Sequence, residues 1–323
     1  MVKLIYLLVN LARFILFVFV FLSCSKTVPP ISHELKDIDI DLLRFEKKFY
    51  GELKIPLDSI IKDFPYFFPN ETPYHIWLNK RKDSTQQLLY NETSKISNHE
   101  LETRTKKVFK YFNYYFPEIS LPRRIISVQS DVDFLNRIID SDTIMIISID
   151  TFLGNKNAIY EGLPQYIRNE LDFKFFESEL INTLSYKVLP KTNSRLFLNK
   201  MINDGKRILL KDYLHENHSK NLNFNYSKSE LQWAFENEKN VWDYFISNEI
   251  LFSTENSLDY RFLNDSPYSK FYSNLDNGSP PRIGAFIGYR ILESFIKRTN
   301  YSIQEILKIS PQEILKKSNY NPT

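Results

Sequence analysis

The chain has 323 residues, 43% apolar and 25% charged, which is a globular composition with enough length for one large domain or two modest ones. A net charge of +3 without a basic stripe argues against nucleic acid as a partner, and a single cysteine excludes an intrachain disulfide or a cysteine-zinc site. Only seven glycines stand against 26 Phe and 20 Tyr, and neither a GxGxxG nor a Walker A loop is present, so nucleotide-cradling folds have no support.

The chain opens on a positively charged stretch with Lys3 and Arg13. Nine apolar residues, Phe14 to Leu22, follow, and then Ser23-Cys24-Ser25. A charged region, a short apolar region and a small residue before the cut make a secretory signal. With the sole cysteine at its end, this resembles a bacterial lipoprotein signal cut before Cys24. Phe21 and Leu22 depart from that pattern, which prefers Leu three places before the cysteine and a small residue two before it. An uncut signal anchor would bury Arg13 among apolar residues at roughly 2.5–3.5 kcal/mol. Cleavage leaves 300 residues and removes Lys3 and Arg13, taking the net charge from +3 to about +1. Several acyl chains on Cys24 would anchor the protein stably where one would not. Ser25 to Pro30 reads as a tether. It has no acidic run, which favours a periplasm-facing position, and Ser25 in place of Asp favours the outer membrane over the inner.

Further on, Asp39–Tyr50 mixes a short alternating run with an amphipathic turn. Pro56–Phe64 reads as a short helix, 64–70 as an aromatic-proline turn, and Pro73–Ser97 and Ser97–Phe116 as two helices. Arg124–Val128 and Thr143–Ile149 read as strands, the second a nearly continuous apolar run suited to burial. Asp131, Asp133, Asp140 and Asp142 lie between them, without the order or the glycine of an EF-hand, and read as a solvated turn. Helical periodicity then runs through Tyr166–Lys187, Ser194–Leu214, Ser227–Asn248 and Pro281–Lys297, closing with 302–310 and Pro311–Lys317. Ser227 and Glu230 form a capping box. Few strands followed by many helices give a helix-dominated α+β class, with a small sheet packed by helices. The divisions are a signal peptide over 1–23, a lipidated cysteine and tether over 24–38, and a single globular domain over 39–323.

Catalytic motifs are incomplete. A zinc helix needs HExxH, because residues four apart share a helix face. His33-Glu34 and His99-Glu100 lack the second histidine, and His215 and His218 are three apart at a polar helix end, where they read as exposed terminal residues. His75 begins no such motif, and no G-x-S-x-G occurs. Gly284 and Gly288, four apart in an apolar helix, read as a site where another backbone approaches closely. The sequence therefore implies no enzyme and no cofactor or metal.

Blocks in one order over about 280 residues carry a family resemblance. They include Phe64-Pro65-Tyr66-Phe67-Phe68-Pro69 with Trp77-Leu78, Ile147 to Gly154, Gly205-Lys206 with Leu210-Lys211-Asp212, Leu231-Gln232-Trp233, Ser269-Lys270-Phe271-Tyr272, and Arg282-Ile283-Gly284 through Gly288-Tyr289. The chain resembles the gliding-motility lipoprotein GldB family of the Bacteroidota. That resemblance implies a non-catalytic cell-envelope lipoprotein that supports gliding and the associated type IX secretion machinery. Its partners would be the membrane, through lipid on Cys24, and other gliding and secretion envelope proteins. Gly154, Gly205, Trp233, Arg282, Gly284, Gly288 and Tyr289 are its structural or partner-contact candidates. A second resemblance is to zincin-like peptidases without the metal site. Thr143–Ile149 would be their strand, Phe175–Lys187 their metal helix and Asp204-Gly205 their later acid, yet Glu177 to Tyr186 contains no histidine. The competing functions are a metal-dependent peptidase with an unconventional site and a periplasmic ligand-binding module.

Overall fold

A computed structural model describes residues 35–191, 193–215 and 219–323. Cys24, His33 and His218 lie outside them. Helices dominate, around one small sheet. The chain enters through β1 (Asp41–Arg44) and a π-helical turn at Lys47–Gly51. Four helices follow: α1 (Leu57–Asp63), α2 (Tyr74–Lys82), α3 (Ser84–Thr93) and α4 (Asn98–Tyr115). The strands β2 (Arg124–Val128), β3 (Ile138–Asp140) and β4 (Ile144–Ser148) complete the sheet. After it come α5 (Gln165–Glu170), α6 (Phe176–Val188), α7 (Phe197–Leu214), α8 (Lys220–Asn223), α9 (Lys228–Glu236), α10 (Glu238–Ser247), α11 (Ser257–Phe262), α12 (Ile283–Arg298), α13 (Ile303–Lys308) and α14 (Pro311–Ser318).

The strand order is β1-β2-β4-β3. The first two pairs are parallel, with Asp41 opposite Arg124 and Arg124 opposite Ile144. β3 runs antiparallel to β4, with Ile138 opposite Ile147. Both faces of the central strands are covered, which explains their continuous apolar sequence. Ile125 and Met145 enter the larger core. Ile126 faces a smaller aromatic core built by Phe45, Phe49, Phe64 and Phe68. A fully buried carboxylate, Glu46, is held between these layers by Arg44 at 2.5 Å and Ser127 at 2.8 Å.

Three continuous helical patterns are interrupted. The expected Pro73–Ser97 helix breaks at Asp83, whose extended backbone (ψ 132°) lets its side chain accept from the Gln86 N–H and start α3. Tyr166–Lys187 breaks after Glu170, where Asp172 caps a short 3-10 turn. Ser227–Asn248 breaks at Asn237. A short polar side chain that satisfies backbone groups competes with helix continuation at the first two breaks. The capping box at α9 is formed, Ser227 accepting from Glu230 N–H and Glu230 from Ser227 N–H. Ser227→Ala is expected to cost about 1 kcal/mol, read as a lower urea midpoint with an unchanged slope.

The larger core is organised by α7 against α12. A Cβ placed on Gly288 would lie 2.1 Å from Met201 O, and one on Gly205 would lie 2.5 Å from Gly288 C and Tyr289 N. The two backbones touch, and only a residue without Cβ fits on either side. Gly284 serves a second approach, with Phe262 O 3.0 Å from its would-be Cβ.

Candidate functional site

The β2–β3 loop is held by a buried acid. Asp150 is fully buried and accepts from Ser130 N at 3.0 Å, Ser130 Oγ at 3.0 Å and Val132 N at 2.8 Å. Burial pushes its carboxyl up, against these three bonds. They keep Asp131 and Val132 in the left-handed region (φ 60° and 61°), a costly conformation for a β-branched residue. The other loop acids are engaged separately. Asp131 meets Lys80 at 3.2 Å, Asp133 accepts from Leu135 N and Asn136, and Asp140 and Asp142 meet Lys187 at 2.9 and 2.6 Å.

This loop delivers Arg137 and Ile138 to the wall of a cavity of about 580 Å³, within the size range of ligand sites. α6 contributes Glu179, Asn182, Thr183 and Tyr186. α7 contributes Asp204, Arg207 and Lys211, whose spacing places them on one face of the helix. The start of α12 contributes Arg282, and the preceding loop contributes Asp265.

Arg282 is the hub. It precedes α12 in the left-handed region (φ 54°, ψ 35°), a strained position for a side chain with Cβ. Its guanidinium donates to Glu170 Oε1 at 2.8 Å and Phe224 O at 3.3 Å, and meets Asp265 Oδ1 at 2.5 Å. Burial works against this charge, but Asp265 and Glu170 outweigh it and hold the group firmly protonated. Burial pushes the carboxyls of Glu170 and Asp204 up, countered by Arg282 for the first and by Arg207 for the second. Arg137 is buried and reaches Glu179 at 3.5 Å and Glu170 O at 3.0 Å, with its guanidinium 4.5 Å from the Phe152 ring. Lys211 is buried and donates to Asn223 O at 2.9 Å. Burial pulls its amine down to about 7.

The stretch of α6 that faces this region, Ser178-Glu179-Leu180-Ile181-Asn182, holds no histidine and lines the cavity with Glu179 and Asn182. Ser178 is turned to Leu222 O and Asn225 Oδ1. Among the described residues, no group of three or more His, Cys, Asp or Glu side chains could hold a metal ion. His75 and His99 are exposed. His215, expected to be exposed, is instead buried with Nε2 3.5 Å from Glu177 Oε1, because α7 packs its C-terminal end against α6.

The glycine, tryptophan and tyrosine candidates fall in different places. Gly205, Gly284 and Gly288 are packing positions behind the cavity. Tyr289 donates to Asp212 Oδ2 at 2.6 Å and contacts Glu293 Oε1 at 2.9 Å, also within the α7–α12 layer. Gly154 makes a turn at φ 102°, and Trp233 donates to Asn277 O at 3.1 Å beside Gly278; neither lines the cavity. Arg137, Glu179, Arg207 and Lys211 were not singled out by the sequence as cavity residues. A lysine at 211, on the apolar face of a strongly patterned helix, was the one available signal.

No described helix is long and apolar enough to cross a membrane. Compared with protein families, residues 25–322 match one described as Gliding motility protein GldB. No curated protein and no solved structure matches the chain.

Proposed function

The chain belongs to the gliding motility protein GldB family, and on that premise we propose that it is a non-catalytic envelope lipoprotein supporting gliding and the associated type IX secretion machinery through protein contacts. Family membership over 25–322 carries this reading, and the matched region begins one residue after Cys24. The anchor is lipid on Cys24, and the globular part faces the periplasm from the outer membrane. Two features of the cavity support a binding role over a catalytic one. The helix in the metal-helix position lacks both nitrogen donors, and most of the charged side chains around it are paired with one another. A strand, α6 and then Asp204 occur in the order of a zincin-like scaffold, which we read as one whose metal site is lost.

Cys24→Ser is expected to abolish incorporation of labelled palmitate and move the protein from the membrane to the soluble fraction. Unchanged labelling would refute the anchor. Deleting the gene tests the role itself: normal spreading together with normal secretion would sink it. Stoichiometric zinc in the purified protein would favour the peptidase reading instead.

A further inference from the structure

The charges lining the cavity pair off with one remainder. Arg137 faces Glu179, Arg207 faces Asp204, and Arg282 faces Asp265 and Glu170. Lys211 has no carboxylate partner among the described residues. Its single bond to Asn223 O leaves two ammonium hydrogens without a protein acceptor, although the residue is 4% exposed. An unpaired buried cation is costly and favours an anion that would pair with it. Among the lining side chains, the buried polar atoms without a partner are two donors, Arg137 Nε and Arg207 Nε, and one acceptor, Asn223 Oδ1. Counted together the charges balance, four cations against four carboxylates, but two of the carboxylates are taken by Arg282, so the shortage is local: Lys211 lacks an acceptor beside it.

A polyanion does not fit, because Glu179, Asp204 and Asp265 alternate with the cations. One compact, singly charged group does, and that is a carboxylate. The surroundings indicate what carries it. Leu135 and Tyr186 line the cavity while 82% and 69% exposed, an apolar mouth on a polar interior. The outer edge of β3 faces it in part, with Thr183 Oγ1 of α6 already donating to Ile138 O there at 3.4 Å. Ser148 N donates to Arg137 O, so in the alternating antiparallel pattern Ile139 bonds to β4, and the N–H groups of Ile138 and Asp140 point away from it. No described group accepts from those two N–H groups. A polypeptide supplies a terminal carboxylate, apolar side chains and backbone carbonyls together.

We propose that this cleft receives the C-terminal end of a polypeptide, its terminal carboxylate against Lys211 and its last side chains between Leu135 and Tyr186. The proposal deepens the reading that the protein works through protein contacts, and rests on it only in choosing a protein as the source of the carboxylate.

The test uses the full chain in detergent, with fluorescence anisotropy against an array of random octapeptides bearing free carboxyl ends. The same array as C-terminal amides and acetate alone are the other arms. Free-acid members should bind, and their amides should bind at least about tenfold more weakly. Lys211→Met should lower the affinity by a similar factor. It should also remove a pH dependence that a structural role would not produce. In the empty cleft, burial and Arg282 hold the Lys211 amine near 7, against Glu179, Glu170 and Asp265. A bound carboxylate raises it, so binding takes up a proton above neutrality. Affinity should be flat below about pH 6, halve by about pH 7 and fall by up to about tenfold per unit above that. Should Lys211→Met fail to fold by circular dichroism, Tyr186→Asp at the exposed mouth should still weaken binding about fivefold.

Amides that bind as well as acids, an array without binders, or a folded Lys211→Met protein with unchanged affinity and pH profile would each overturn the proposal. Acetate binding as tightly as the best peptide would overturn the polypeptide assignment. These outcomes are read on purified protein, so they are distinct from the gliding, secretion and labelling results, which test the cellular role and not the cleft.

Discussion

Gly288→Ala should destabilise the protein by about 3 kcal/mol, and Gly288→Leu should leave no folded protein at all. The added Cβ would meet Met201 O at 2.1 Å, Met201 C at 2.7 Å and Ile202 N at 3.2 Å. All three are backbone atoms of α7, so no rotamer change relieves the overlap and the helices must part. Parting them loosens the dense layer formed by Met201, Ile202, Phe286, Ile287 and Ile291, all essentially inaccessible to water. Alanine's better helix propensity, about 1 kcal/mol over glycine, offsets only part of this. Gly205→Ala acts on the same contact from the other side. The two costs should therefore not add, because the first change has already separated the helices. Urea denaturation of the single and double variants measures this. A Gly288→Ala loss below about 1 kcal/mol would show that the contact is compliant, contrary to its geometry.

Arg282→Met should cost about 3 kcal/mol at neutral pH, chiefly through Glu170. Its carboxylate loses the 2.8 Å partner that offsets its burial. Asp265 is 60% exposed on its side chain and contributes little, since water replaces the guanidinium there. The deficit should depend on pH in a defined direction. Burial already raises the Glu170 carboxyl above its ordinary range, and losing Arg282 raises it further. A carboxyl raised in the folded state holds its proton more tightly than in the unfolded chain. Its contribution to stability is therefore fully present at low pH and lost as pH rises through the folded value. Relative to the parent, the variant should recover stability on acidification below neutrality. A deficit constant from pH 5 to 8 would exclude Glu170 as the cause.

Much of the architecture follows from local pattern. Arg124–Val128 and Ile144–Ser148 are visible as apolar runs because both faces of those strands are covered, and α12 shows as an apolar helix opened by two glycines. β3 was not expected: three residues, Ile138-Ile139-Asp140, sit among acids and hold strand geometry only because β4 pairs with them. The breaks at Asp83 and Asn237 were missed for other reasons: the apolar period continues across Asn237, and Asp83 lies in a polar stretch, Asn79 to Gln87, that holds no proline or glycine to mark a stop. The cavity was the least legible. Glu179 pairs with Arg137, 42 positions away, and Glu170 with Arg282, 112 positions away. No local pattern distinguishes those charges from solvated ones. Arg282 was identified through its neighbourhood in the family resemblance, and Lys211 only as part of a matching block.

The contact between α7 and α12 also sets an order of events as the chain emerges, N-terminus first, into the compartment where it folds. α7 ends at Leu214, but the surface that receives Gly205 begins only at Ile283, more than sixty residues later in the chain. Until that stretch emerges, Met201 and Ile202 lack the α12 backbone they pack against, and the Glu170 carboxylate lacks the guanidinium of Arg282. The cavity wall is therefore among the last parts of the molecule to form. A chain truncated before residue 283 would have its sheet residues complete but its cleft still open on one side.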